Sequence, residues 1–405
     1  MRSQHSFWRR GTLVAAVGLL AAVALAAAAC GSSSSTSSPS ASSTGGGGGA
    51  PMKIGFFAPE SGFAAADGAS AYDSAQLAVK DINAAGGING RQLQLVNYDD
   101  ASDAKQAVTI ATRLVTQDKV TAVVSGSYSD QTLAAAPIFQ RASTPMLAAY
   151  AVNPGIPATG DYIYQQDFNG IVEGRGGAVA LINNLGAKKV AIVAIKNDFG
   201  TSLVQGFTET AKALGVTIVA TDYNQFGEKD FTPILSRDKS RGAVGFFMVE
   251  YAAEAQQFIN NWNTLGFKYP LVGTEGIDST TTFLQPVGPK ANGLVFTTPF
   301  NRDSTEPIAK NYVTAFTAAY GHPPDMVGAT TYDSFLVLAQ AMKAKGTSPS
   351  QIKDGIAATT NFVGTTGTIQ KYIKGQVVKA VDLQIIKNGE PHQYATLSDP
   401  QLITP

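Results

Sequence analysis

From Met52 onward the chain keeps one rhythm: a short apolar or β-branched run, a break, then about a dozen residues with apolar positions at helical spacing. Met52-Lys53-Ile54-Gly55-Phe56-Phe57 reads as a buried strand. Residues 68–85 follow as a helix, with Ala71, Ala75, Ala78 and Ile82 on one face. Gly86-Gly87-Ile88-Asn89-Gly90 then breaks the helix, glycine supplying the positive φ that such turns require. A strand leading to Tyr98-Asp99-Asp100, a helix near 103–117, a strand at 120–124, a helix from Ser129 and a strand leading to Ala148 continue the series. A second series opens after Tyr162-Ile163-Tyr164, with helices near 171–185, from Thr201 and near 253–265. Its strands are expected at 189–195, 216–220, 243–249, 271–273 and 294–298. Strands alternating with helices mean βαβ units and a parallel sheet, and two series in tandem predict an α/β protein with two doubly wound lobes. About 350 residues exceed what one hydrophobic core usually serves. The pieces after Pro299 are helices near 306–320 and 326–345 and strands near 366–372 and 378–386. They are too few for a third domain and are expected to complete the first two.

Composition removes several function classes. Lys and Arg total 30, as do Asp and Glu, so net charge points neither to nucleic acid nor to a strongly acidic partner. The histidines are His5, His322 and His392, and Cys30 is the single cysteine. A His/Cys metal site and an internal disulfide are therefore not expected, nor is any cofactor. Gly86-Gly87-Ile88-Asn89-Gly90 follows a helix and lacks both the P-loop lysine and the dinucleotide glycine spacing. No Gly-x-Ser-x-Gly elbow occurs, and Gly126-Ser127-Tyr128-Ser129 has no histidine at a plausible partner position. Asp99-Asp100 could serve acid/base chemistry, but adjacent acids at a strand end more often bond to their own loop. Trp8 and Trp262 are the only tryptophans, too few for sugar platforms. An enzyme is not expected.

The segment before Met52 has a different character. Arg2, Arg9 and Arg10 precede an apolar, alanine-rich stretch that ends at Cys30, and a Ser/Thr/Pro/Gly tract follows. These are the parts of an export signal. Cysteine directly after small residues resembles the lipobox of bacterial lipoproteins, which implies an acylated thiol at a mature N-terminus; Ala27, where leucine is usual, departs from it. The expected division is a signal peptide at 1–29 and a lipidated Cys30 with a flexible tether through 51, its reach on the order of 25 Å. The protein would then sit outside the cytoplasmic membrane, held by lipid. A plain secretory signal or an N-terminal span is the alternative, and Arg9-Arg10 also permits a twin-arginine route.

Ile82 through Arg91, containing the Gly-Gly-Ile-Asn-Gly turn and followed by Tyr98-Asp99-Asp100, resembles the N-terminal signature of type I periplasmic binding proteins. That family serves ABC importers of branched-chain amino acids and related compounds. Pro59-Glu60-Ser61-Gly62, Ala134-Ala135-Ala136-Pro137-Ile138, Asp198-Phe199-Gly200, Asp230-Phe231 and Gly273-Thr274-Glu275-Gly276 extend the likeness in order. Pro323-Pro324, Tyr332-Asp333 and Gly364-Thr365-Thr366-Gly367 carry it towards the C-terminus. The resemblance implies a three-crossing hinge near Gln166, Pro299 and Lys374. Lobe 1 is expected over 52–166 plus 299–374, and lobe 2 over 167–298 plus 375–405.

The resemblance also implies a ligand site. Ser129, at a helix start, takes the place of the serine that holds an amino acid carboxylate, and a helix N-terminus suits an anion. Tyr150-Ala151-Val152 occupies the loop where the family uses a threonine, and Val152 offers no side-chain donor. Phe199 and Tyr251 fall on the family's aromatic positions, and Glu275 on its ammonium-binding acid. Asp67 stands where an aromatic is common. Asp67 and Glu275 would favour an amine-bearing ligand, with Tyr150, Phe199 and Tyr251 as walls. The expected function is a monomeric, lipid-anchored solute receptor that hands an amino acid, or a similar amine, amide or carboxylate, to a permease with a separate ATPase. A sensor of the same fold that signals without transport is the alternative.

Overall fold

The computed structural model describes residues 49–405. The expected signal peptide, Cys30 and most of the tether lie outside the described residues. The first sheet holds β1 (Met52–Ala58), β2 (Leu93–Asp99), β3 (Ala122–Ser125), β4 (Met146–Ala148) and β5 (Ile163–Gln165) in the order β2-β1-β3-β4-β5, all parallel. The second repeats that winding with β6 (Lys189–Ile195), β7 (Thr217–Asn224), β8 (Gly245–Val249), β9 (Leu271–Gly273) and β10 (Val295–Thr298). β3, β4, β8, β9 and β10 are buried throughout, as parallel strands covered on both faces must be.

Helices clothe both sheets. The helix Ala65–Ala84 turns small residues towards the helix Met326–Lys345. A Cβ at Gly328 would lie 2.7 Å from Ser74 Oγ, so glycine there permits the close approach. Ser74 Oγ meets Tyr312 Oη at 2.9 Å, and Ser70 Oγ donates to Asp325 at 2.6 Å, which satisfies the buried polar atoms. The first helix begins at Ala65, three residues before the apolar spacing suggested. Its start is pressed against the β1 loop, since a Cβ at Gly68 would collide with the Pro59 carbonyl.

The end of the chain differs most from expectation. The run 366–372 is divided between two hairpins, β11 (Phe362–Gly364) with β12 (Gly367–Ile369) and β13 (Lys371–Ile373) with β14 (Gln376–Val378). β15 (Val381–Lys387) and β16 (Glu390–Leu397) then join the second sheet antiparallel beside β10, making it mixed. A helix at Pro349–Ala357, begun by a Ser348/Gln351 capping box, was not anticipated.

The chain leaves the first sheet after β5, returns after β10 to pack the helix Met326–Lys345 on the helix Ala65–Ala84 beside that sheet, and rejoins the second sheet between β14 and β15. Lys374 is therefore not at the third passage. It sits at φ 48° in the hairpin turn with Gly375, whose carbonyl accepts from Gln165 N–H at 2.8 Å. The passage comes at Lys379-Ala380. Lys379 is 1% exposed, and its ammonium donates to Thr366 at 2.7 Å. Buried charge interrupts what reads as one apolar run. No helix among the described residues is long and apolar enough to cross a membrane.

Candidate functional site

In each sheet the winding reverses between two central strands, β1 and β3 in the first and β6 and β8 in the second. Loops diverge at such points and leave a crevice at the strands' carboxyl ends. Residues from these loops meet face to face. Tyr128, after β3, stacks on Tyr251, after β8, with centroids 4.5 Å apart and planes 2° from parallel. Phe63, after β1, meets Phe226, after β7, at 4.0 Å. Tyr150 stands edge-on to Tyr128 at 5.7 Å, and Phe199 backs Tyr251 at 4.9 Å. Such pairs are worth about 0.5–1.5 kcal/mol beyond burial. Together they join the two lobes.

Asp67 lies beneath this aromatic layer. It accepts hydrogen bonds from Tyr128 Oη and, at 2.7 Å, from Ser279 Oγ of the segment after β9. Burial, aided by the Asp325 charge, pushes its carboxyl up to about 6. A cavity of about 50 Å³ opens beside it, walled also by Glu254, Phe63, Tyr128, Phe226 and Tyr251. A second cavity of about 260 Å³ shares those four rings and adds Asp130, Gln131, Lys196 and Asn197.

Of the residues singled out in the sequence, Asp67 and Tyr251 line these cavities. Phe199 and Tyr150 form a second layer, and the Tyr150 hydroxyl donates to the Gly126 carbonyl. Ser129 is buried at the start of the helix Ser129–Arg141, where its hydroxyl accepts from Asn153 N–H at 3.3 Å. Val152 is fully buried, and its carbonyl accepts from Gly170 N–H at 2.7 Å. Glu275 lies behind the cavities rather than on their walls. Gly276 lets its loop rest on Phe199 and the Glu250 carbonyl.

Glu275 belongs to a buried acid cluster at the lobe crossing. Its N–H donates to Glu173 Oε1 at 2.7 Å, and Thr297 Oγ1 donates to the same oxygen at 2.7 Å. One oxygen each of Asp167, Glu173 and Glu275 has no partner. Burial pushes Asp167 up to about 6 and Glu173 up to about 8. Glu275 is raised well above its usual range by burial and by the Asp167 and Glu173 charges. Lys379, whose own pKa burial lowers, stands among these acids. Among the described residues no group of His, Cys, Asp or Glu is arranged to hold a metal.

Phe63, Tyr128, Phe226, Glu254 and Ser279 are the site residues that sequence reasoning missed. Tyr128 could have been found from its place beside Ser129 at a strand end. The others carry no local signal.

A family model described as periplasmic binding protein matches residues 51–390. An amino acid binding protein of Pseudomonas aeruginosa is 31% identical over 304 residues, 73% of this chain and 79% of that protein. The Leu/Ile/Val-binding protein of Escherichia coli is 29% identical over 311 residues, 76% of this chain and 83% of the relative. The crystal structure of the branched-chain amino acid transporter substrate-binding protein of Streptococcus pneumoniae, in complex with isoleucine, superposes with a TM-score of 0.79 at 31% identity. That likeness covers 86% of this chain and 99% of the other. The chain belongs to the periplasmic binding protein family, whose members bind solutes and are not enzymes.

Proposed function

We propose that the chain is the solute receptor of an ABC importer, closing its two lobes on an amino acid or a related small amine. The observation that carries this reading is the aromatic and carboxylate box at the crevice, built from both lobes at once. A ligand touching both lobes favours the closed state by its differential affinity, as in periplasmic binding proteins generally. The relatives named for leucine, isoleucine and valine support an amino acid as the solute. The working lobes are 52–166 with 299–378 and 167–298 with 379–405.

Tyr251 and Phe199 form the wall of the second lobe, and Asp67, Tyr128 and Tyr150 that of the first. Ser129 is the proposed carboxylate contact. Its oxygen already accepts from Asn153, so its proton is left to donate. Val152 adds shape alone. Glu275, the acid expected to meet a ligand ammonium, lies in the buried cluster with Asp167 and Glu173 and lines neither cavity. Acylation of Cys30 is part of this reading and would keep the receptor at the membrane, within reach of a permease. A sensor without transport uses the same crevice.

A thermal-shift panel of amino acids, amides, amines and small carboxylates on the full chain tests the reading. Saturable stabilisation by at least one amino acid or amine is expected. Stabilisation by none, or only by compounds without nitrogen, overturns it.

A further inference from the structure

The smaller of the two cavities has a one-sided chemistry. Two carboxylates, Asp67 and Glu254, and four aromatic rings face it, and the rest of its wall is alanine and Thr282. No lysine, arginine or histidine lines it. Glu254 is 3% exposed; one oxygen accepts from Gly227 N–H at 2.9 Å, and the other has no partner. In the adjoining cavity the buried polar atoms without partners are Asp130 Oδ1 and Gln131 Oε1. Every such atom on the two cavity walls is an acceptor. A buried charge is kept only when it is paired and hydrogen-bonded, so the missing partner is a donor with positive charge. Rings set around a carboxylate pair add the face-on attraction that organic cations find in aromatic cages. The volume exceeds what one water needs and suits a small head group.

We propose that this compartment takes an organic ammonium head, with Asp67 and Glu254 as its counter-ions and Phe63, Tyr128, Phe226 and Tyr251 as its walls. The remainder of the ligand lies in the larger cavity. The inference rests on the solute-receptor reading above and sharpens it: the bound solute is a cation, either a simple amine or quaternary ammonium or an amino acid with a second positive charge on its side chain. A neutral branched side chain would leave Glu254 without a partner.

Calorimetry on the full chain with pairs matched in shape but differing in charge separates the cases. L-lysine is compared with L-norleucine, and choline with its neutral carbon isostere 3,3-dimethylbutan-1-ol. In at least one pair the cation should bind roughly a hundred-fold tighter. Glu254→Gln, with unchanged circular dichroism, should cut that preference ten-fold or more; Asp67→Asn serves if the first variant does not fold. A preference for choline while neither amino acid binds supports the cation site and removes the amino acid reading. Norleucine binding as tightly as lysine, with choline no better than its isostere and with both amino acids unaffected by Glu254→Gln, overturns the cation site and leaves the amino acid reading standing. No binding by any member at millimolar concentration overturns the cation site as well.

Discussion

Ser279 Oγ donates a 2.7 Å hydrogen bond to Asp67 Oδ1, tying a loop of the second lobe to the first helix of the first lobe. The same carboxylate also holds Tyr128 Oη, whose ring stacks on Tyr251. One side chain thus couples the position of the second lobe to the aromatic floor of the crevice. A hydrogen bond to a charged group contributes about 1.5–3 kcal/mol. Ser279→Ala should therefore raise the open population of the ligand-free protein by roughly one to two decades. Small-angle scattering should show a larger radius of gyration, and an unchanged radius would mean that other contacts hold the lobes.

Phe63→Ala tests the outer layer. Phe63 is 47% exposed and Phe226 45%, yet their rings sit 4.0 Å apart across the crevice. Truncation should cost the closed form about 0.5–1.5 kcal/mol and speed ligand release with little change in melting temperature. Stopped-flow dissociation checks this; an unaltered off-rate removes the pair from the closing mechanism.

The acid cluster at the crossing sets a pH dependence. Asp167 and Glu173 titrate near 6 and 8 in the folded chain and near ordinary carboxyl values when unfolded. The folded state then binds more protons, so the stability tied to these groups is whole below about pH 4 and is lost as pH rises through 6 to 8. Melting temperature should fall between about pH 5 and pH 8.5. Glu173→Gln keeps the carbonyl that accepts from Glu275 N–H and Thr297, and should flatten the fall and raise the melting point at high pH. A melting temperature that climbs across this range would contradict the assignment.

Ser129→Ala distinguishes a ligand contact from a brace. As a carboxylate contact it should weaken amino acid binding by one to two decades, the equivalent of about 1.5–3 kcal/mol. An unchanged dissociation constant with a lower melting temperature would leave Ser129 as the partner of Asn153 alone.

The central strands were legible because β1 and β6 are long apolar runs that need no partner to be recognised. The C-terminal hairpins were not, since a strand that breaks at Lys379 does so for charges brought there by Asp167 and Asp333 from elsewhere in the chain. The site divides the same way. Asp67 and Tyr251 could be placed because they follow recognisable motifs. Glu254 reads as an ordinary exposed position in the first turn of the helix Ala252–Thr264, and its burial comes from residues distant in sequence, Gly227 of its own lobe and Phe63 and Asp67 of the other among them. Phe63 and Phe226 meet through closure, which no spacing encodes.

The proposed function places one small amine-bearing solute in the crevice between the lobes, with Tyr251 at its centre. Isothermal titration of the full chain with the proteinogenic amino acids and simple amines, repeated on Tyr251→Ala, tests it most directly. One-to-one saturable binding of at least one of them is expected, with Kd below about 100 μM, weakened at least ten-fold by the substitution. No binding by any of them, or equal binding by native protein and Tyr251→Ala, would contradict it.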